Sequence, residues 1–415
     1  MTPPSPPAAT WPSVIRETRS WRTNPDQRGP NGLRPNRLDR MFTETTVEIP
    51  ARIAALPVPA ATPDVLARND AAVAAIASLE GRADHLAGLD GLLVRTEAVA
   101  SSRIERVYAD LDDVARASIG EEAGETARST VAAMRALRAL SEACGLTSPL
   151  DEPKILAAHA ALMGQDRLES EFAGRWRTQQ NWIGGSDTSP RGAVHVPPPP
   201  ELVPELVKDL VRFAERRDLP ALVHAAIAHA QFEAIHPFTD GNGRIGRAII
   251  GAILRYRGLT VGATVPVAAA MLADVDTYFD ALADYRSGDI GPIVDLTVAA
   301  AATAAACAAE SADRLAALPE QWRTAAGVRR GASALSIIDG LLRQPILDVS
   351  RAVELTGATP RRTYVALDLL VEAGVLDEIT GGRRNRIWVA ADVMAELEQL
   401  ERQIGVRQRP SQRYR

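Results

Sequence analysis

From about residue 64 onward, apolar positions recur every three to four residues, the period of a helix with one buried stripe. Val65, Ala67, Ala71, Val73, Ala74 and Ile76 predict a first helix, with Gly81 as its stop. Leu92, Leu93, Val99, Ile104 and Val107 carry helical sequence to about 118. Further helices are expected over 125–144, 152–165, 201–216, 220–233 and 243–256. Ala-rich helical sequence then runs to a boundary at Ala317-Leu-Pro-Glu320. Residues 1–40 lack apolar periodicity and read as a mobile leader or an irregular strap.

Two segments break the helical period. Trp176 to Ile183 is strand-like, Gly184-Gly185 and Ser186 to Pro190 supply turn chemistry, Ala193 to Val196 returns, and Pro197 to Pro200 end the run. This predicts a β-hairpin flap over 179–197 leading into a helix. Toward the C-terminus, helices are expected at 334–344, 349–355 and 361–372, the last opened by Thr359-Pro360. Val375 to Ile379 and Ile387 to Val389 then flank a tip carrying Arg383, Arg384 and Arg386. Three helices and a hairpin in that order match a winged helix-turn-helix. The expected fold class is mainly α.

Composition narrows the choice of partners. The 47 basic and 52 acidic residues give a net charge of -5, which excludes histone-like charge binding but leaves a local basic face open. With 46% hydrophobic and 24% charged residues the chain is neither disordered nor fibrous. Cys144 and Cys307 are too few for a disulfide scaffold and suit core positions in a reducing compartment. Met1 to Ala8 has four prolines and no positive charge, unlike a secretory signal. The most apolar window, Leu296 to Ala309, is bounded by Asp295 and Glu310 and is short for a membrane span. The expectation is a soluble cytoplasmic protein without a membrane partner.

The richest chemistry lies in His236-Pro-Phe-Thr-Asp-Gly-Asn-Gly-Arg-Ile-Gly-Arg247. Pro237 disfavours helix at residue 236, so a helix should end there. Gly241, Asn242 and Gly243 allow a tight turn that bares backbone N–H groups at the start of the next helix, which makes an anion site. Arg244 and Arg247 share one face of its first turn, where two guanidiniums repel the helix dipole and a polyphosphate would offset the cost. Asp240 is a hard oxygen ligand of the kind Mg2+ uses alongside substrate phosphates. His236 has an ordinary pKa near ~6.5, suited to taking a proton from a hydroxyl. Together these residues read as a site for a nucleoside triphosphate.

The same run matches, at every fixed position, the motif His-x-Phe-x-Asp/Glu-Gly-Asn-Gly-Arg-x-x-Arg, so over roughly 60–265 the chain resembles the Fic (filamentation induced by cAMP) family. The resemblance implies a helical protein adenylyltransferase that moves AMP from ATP to a Ser, Thr or Tyr hydroxyl of a target protein. It implies His236 as the base and Asp240 as the Mg2+ ligand. Gly241, Asn242 and Gly243 would cradle the phosphates, Arg244 would meet the β- and Arg247 the γ-phosphate, and Phe238 would anchor the loop. The flap at 179–197 would hold the target by strand addition. Upstream, Ser101 and Glu105 resemble the inhibitory-helix motif Ser/Thr-x-x-x-Glu-Gly/Asn, with Arg106 where Gly or Asn is usual. In that self-inhibited class the Glu, here Glu105, pairs with the second motif Arg, here Arg247, and blocks a productive γ-phosphate. Some such relatives also remove AMP. The implied layout is a leader (1–40), a helical region with the inhibitory helix (41–125), a Fic core (126–265), a helical connector (266–330), a winged helix (331–400) and a basic tail (401–415).

Simpler readings stand beside these. His224 and His229 are five apart, off a common helix face, and read as core contacts more readily than as a zinc pair. Glu105 alone could be a solvated helix charge beside Arg103 or Arg106. The winged helix could contact DNA or a protein, and its 351–380 segment, with three Arg against five acidic residues, tempers the DNA reading. A silent or nucleotide-sensing site with a binding function is the alternative to an enzyme, and a homodimer stays open.

Overall fold

The computed structural model describes residues 10–26, 28–29, 32–328, 332–380 and 386–409. In chain order the elements are β1 (Ile15–Ser20), α1 (Arg37–Arg40), β2 (Glu44–Ile49), α2 (Pro63–Ala83), α3 (Leu89–Ile104), α4 (Leu111–Ser118), α5 (Glu125–Ala143), α6 (Glu152–Met163), α7 (Val203–Ala214), α8 (Ala221–Ile235) and α9 (Asn242–Tyr256). They continue with α10 (Val267–Met271), α11 (Val275–Ser287), α12 (Gly291–Ala326), α13 (Ser333–Gly340), β3 (Ile346–Asp348), α14 (Val349–Thr356), α15 (Pro360–Glu372), β4 (Leu376–Glu378), β5 (Ile387–Ala390) and α16 (Ala391–Gln408). The fold is mainly α, as the periodicity predicts.

Contacts divide the chain into two units. In the first (Met1–Asn69, Ala139–Arg257 and Asp276–Thr297), every residue of α8 is buried. Its sequence is apolar on all sides, as a helix without a solvent face must be. Two of its polar side chains find partners inside: His224 Nε2 lies 2.9 Å from the Phe213 carbonyl, and Gln231 donates to Ala51 O at 2.8 Å and accepts from the Tyr285 hydroxyl at 2.7 Å. Helices α7 and α9 pack on α8. A Cβ at Gly246 would sit 2.2 Å from Glu233 Oε1, so this glycine permits the close approach of α9.

Two expectations for this unit need correction. Residues 15–20 are not irregular: β1 pairs antiparallel with β2 in the register Ile15↔Ile49 to Ser20↔Glu44. All of β1 is exposed, so no alternation marks it, and its partner lies outside any local window. The segment 179–197, in turn, is not a laddered hairpin. It is pinned by the isolated bridges Ile183↔His195 and Ser186↔Ser189. Side chains replace the missing ladder. The buried Asp39 carboxylate accepts from Ser189 Oγ (2.8 Å), Thr188 Oγ1 (3.2 Å) and Arg191 Nε (2.9 Å). Burial alone would raise its pKa, but these bonds outweigh burial and hold it down at about 2. Glu48 on β2 meets His195 Nδ1 at 2.7 Å, and its backbone N–H donates to Val196 O at 2.8 Å.

In the second unit (Asp70–Arg138, Gly258–Val275 and Val298–Arg415), α3 buries most of its length. Its Glu97 accepts from the Ala268 N–H at 2.7 Å. The elements from α13 to β5 follow the order expected of a winged helix and add β3, too short to show a period, giving an antiparallel sheet ordered β3-β5-β4. No boundary falls at Ala317–Glu320: α12 continues to Ala326 with Pro319 inside it. Beyond the proline, Trp322 is 2% exposed and donates Nε1–H to Asp392 at 2.7 Å, which ties the last turns to α16. By length and composition α12 could also cross a membrane, wider than the window read from sequence; 61% of its most apolar stretch is buried inside the structure. Residues 1–9 of the leader, Arg383 and Arg384 of the tip and the tail from 410 lie outside the described residues.

Candidate active site

The buried α8 stops at His236, whose φ of 48° and ψ of 62° place a non-glycine residue in the left-handed region. Its N–H still donates to Phe232 O at 2.9 Å. The turn is fixed by Arg177, 3% exposed, whose Nε donates to His236 O at 2.9 Å. The same guanidinium reaches Ile235 O, Gln179 O and Pro198 O, and the Arg177 N–H donates to Pro237 O at 2.9 Å. Burial lowers the Arg177 pKa to about 10, which leaves it cationic. Its charge satisfies the carbonyl end of α8.

The loop is braced from within and from α6. Asn242 Oδ1 accepts from Phe238 N (2.8 Å) and Asn242 Nδ2 donates to Phe238 O (2.9 Å), so its amide is committed to the loop and its contribution to an anion is its backbone N–H. Asn181 Nδ2 donates to the same carbonyl at 2.8 Å. The Phe238 ring stacks on His159 at 3.7 Å and 2°, and on Trp176 at 5.0 Å. His159 accepts from Gly174 N at Nδ1 (2.9 Å), so Nε2 carries its proton toward Asp240 O at 3.1 Å. Burial pushes its pKa down to about 4 and keeps that tautomer neutral.

Gly241, at φ 76°, begins α9, and a Cβ there would lie 2.9 Å from Leu162 Cδ2. The first N–H groups of α9 therefore face the loop with two arginines beside them. Arg244 is 8% exposed, with Nη2 3.6 Å from Asp240 Oδ2 and 3.8 Å from Met163 Sδ. Arg247 is 2% exposed, with Nη1 3.4 Å from the Tyr278 hydroxyl, which also meets His229 Nε2 at 3.0 Å. Burial, then the Arg247 charge, pushes His229 down to about 3. The histidine is thus a core residue, as expected, but it also ends a polar chain that reaches Arg247.

His236 keeps 16% of its side chain exposed. Its buried Nδ1 lies 3.8 Å from Glu233 Oε2. Burial first, then the charges of His195, Arg177 and Arg286, lower its pKa to about 3, so the imidazole is neutral at pH 7. Asp240 projects a carboxylate that is 58% exposed, with Oδ1 accepting from Gly241 N at 2.6 Å. Among the described residues no three His, Cys, Asp or Glu side chains gather to hold a metal unaided. One open carboxylate beside an anion nest fits a cation that takes its other ligands from a substrate.

The motif residues from His236 to Arg247 come together in the first unit as the spacing predicts. Ser101 and Glu105 belong to the second unit. There α3 closes with Arg106 N–H to Arg103 O and Val107 N–H to Ser102 O, both 2.9 Å, with Ser101 buried and Glu105 exposed at the cap. Sequence reasoning missed Arg177, His159, Asn181 and Tyr278. Arg177 and Asn181 sit in the Trp176–Trp182 run that marks the flap, but His159 and Tyr278 leave no signal in periodicity or spacing.

A neutral histidine at a helix end, a glycine turn, a helix N-terminus and two buried arginines make an arrangement that can hold a phosphate chain. Residues 149–254 match the Fic/DOC family and residues 66–145 match the Fic/DOC family N-terminal region. Over these residues the chain is similar to the Fic/DOC family. It is 31% identical over 137 residues to a probable protein adenylyltransferase of Aquifex aeolicus, covering 28% of this chain and 43% of that one. It is 34% identical over 148 residues to the protein adenylyltransferase Fic of Nematostella vectensis, covering 34% of this chain and 30% of that one. The chain thus spans less than half the length of these curated relatives. A crystal structure of a Fic family protein from Desulfovibrio desulfuricans shares the fold, with a TM-score of 0.51 and 24% identity over 81% of this chain and 98% of that one.

Proposed function

We propose that this protein transfers AMP from ATP to a Ser, Thr or Tyr hydroxyl of a target protein. The observation that carries the reading is the neutral His236 at the rim of the nest formed by Gly241 and the start of α9. With Nδ1 turned inward to Glu233, the proton of the attacking hydroxyl goes to Nε2. The hydroxyl oxygen bonds to the α-phosphorus, the bond from that phosphorus to the bridging oxygen breaks, and pyrophosphate leaves. Backbone N–H groups of the nest hold the phosphate chain, and Arg244 and Arg247 offset its charge. Asp240 would hold Mg2+, which when bound neutralises charge on the phosphates. A bound polyphosphate also raises the proton affinity of His236, which suits a base whose pKa is low in the empty site.

Self-inhibition by Glu105 acting on Arg247 is the second part of the proposal. It is supported by the turn that ends α3 with Glu105 exposed at its cap. Labelled ATP with Mg2+ tests both parts. His236→Ala should lose transfer, and Glu105→Gly should label more strongly than the wild type. Label persisting in His236→Ala removes the base assignment, and equal labelling by Glu105→Gly removes the inhibition. Mass spectrometry of the modified target identifies the transferred group.

A second reading concerns the winged helix expected over 331–400, taken to bind a macromolecule. It is favoured by the exposed face of α15, which opens with Arg361 and Arg362 and continues through Val365, Asp368 and Leu369. Gel shifts of the full chain across a salt series separate nucleic acid, whose binding weakens steeply with salt, from a protein partner.

A further inference from the structure

A closed set of charges in the second unit does not balance. A cavity of about 210 Å³ lies against one face of α3, formed by Arg95, Thr96, Val99 and Arg103. Its other walls are Leu111 and the α16 residues Met394, Leu397, Glu398, Glu401 and Arg402. Arg103 donates to Glu401 at 2.6 Å, and Arg402 pairs with Glu398 at 3.4 Å. Both acids are thereby matched by a direct ion pair. Arg95, only 5% exposed, remains, and its Nη2 has no hydrogen-bond partner. The field of Glu401 reaches it, yet burial dominates and lowers its pKa.

A buried guanidinium nitrogen without an acceptor is costly, and natural structures rarely keep one without a use. The cavity supplies what a ligand for it needs. Arg95 provides the fork that grips a carboxylate in two places. Val99, Leu111, Met394 and Leu397 provide an apolar wall, and the exposed Arg402 and Glu398 also line the cavity. We propose that this cavity binds a small organic carboxylate, with its charge on Arg95 and its hydrocarbon part against the four apolar side chains. The volume admits a chain of a few carbons and excludes a nucleotide. The site is separate from the Gly241–Arg247 nest and does not depend on the transfer reaction. It sits on the helix whose end carries Ser101 and Glu105.

Calorimetric titration of the full chain with hexanoate tests this, with hexanol and inorganic phosphate as controls. Saturable binding of hexanoate is expected, weakened about tenfold or more in Arg95→Met through loss of a charge-assisted bond. Val99→Phe, which fills the cavity and leaves the cation in place, should lose binding as well, and it serves if Arg95→Met does not fold. Saturable hexanoate binding lost in either variant supports the proposal. Absence of hexanoate binding, equal binding by hexanol, or phosphate binding in place of hexanoate overturns it. So does hexanoate affinity unchanged in the folded variants.

Discussion

Among the described residues two non-glycine residues have positive φ, Arg106 at 60° and His236 at 48°, and each follows the last turn of a helix. The backbone device is the same, and its support is different. At His236 the conformation is imposed from outside: Arg177 bonds its carbonyl, Pro237 follows it, and the ring is enclosed with Glu233 beside it. At Arg106 only the two backbone bonds of the helix cap hold an exposed residue. Strain that tertiary contacts over-determine can be kept for chemistry, whereas strain held by a local cap remains open to relief by glycine.

Substituting each residue sharpens the contrast. His236→Gly removes backbone strain and the base together. Transfer should fall about 10²–10⁴-fold while urea unfolding shows no loss of stability. Transfer at the wild-type rate would detach the strained residue from the chemistry. Next in size is the response to acid. Unfolded imidazoles take up protons below about 6.5, but His159 and His224 are held near 4, and His229 and His236 near 3, first of all by burial. The unfolded chain therefore binds more protons across that window. The stability contributed by these four neutral rings is complete above pH 6.5 and declines as pH falls through it, by at most about 1.4 kcal/mol per pH unit for each ring. Thermal melts at pH 7 and 5 should separate clearly, and coincident melts would contradict the burial of these rings.

Arg177→Met leaves several buried carbonyls around residue 236 without a donor. We expect a loss of about 2–4 kcal/mol in urea titrations. Removing a positive neighbour should also move the His236 titration upward in NMR spectra, and an unmoved titration would separate Arg177 from the histidine. The smallest effect belongs to the other helix end. Arg106→Gly should stabilise the protein by about 0.5–1 kcal/mol, read as a raised denaturation midpoint. A lower midpoint would mean that the Arg106 side chain contributes more than its backbone costs.

Helical content was visible because most helices present one apolar stripe, and α8 was visible through its length and Ala-rich apolarity. The strands were harder. β1 has no buried face, β3 has three residues, and the flap is held by Asp39 and Glu48 instead of a ladder. Pro319 illustrates the opposite error: a residue that breaks most helices stays inside α12, where Trp322 anchors the following turn on α16.

The sequence by itself determined the motif loop. Every group from His236 to Arg247 lies within one short run, and the rules that place it are local: proline at a helix end, glycine in the left-handed region, free N–H groups at a helix start. Tertiary structure decided the protonation and orientation of those groups. His159 meets Asp240 across 81 positions, Arg177 meets His236 across 59, and Glu48 meets His195 across 147. No periodicity spans such intervals, because they are closed by packing of the whole core, and it is that packing which removes water and shifts each proton equilibrium.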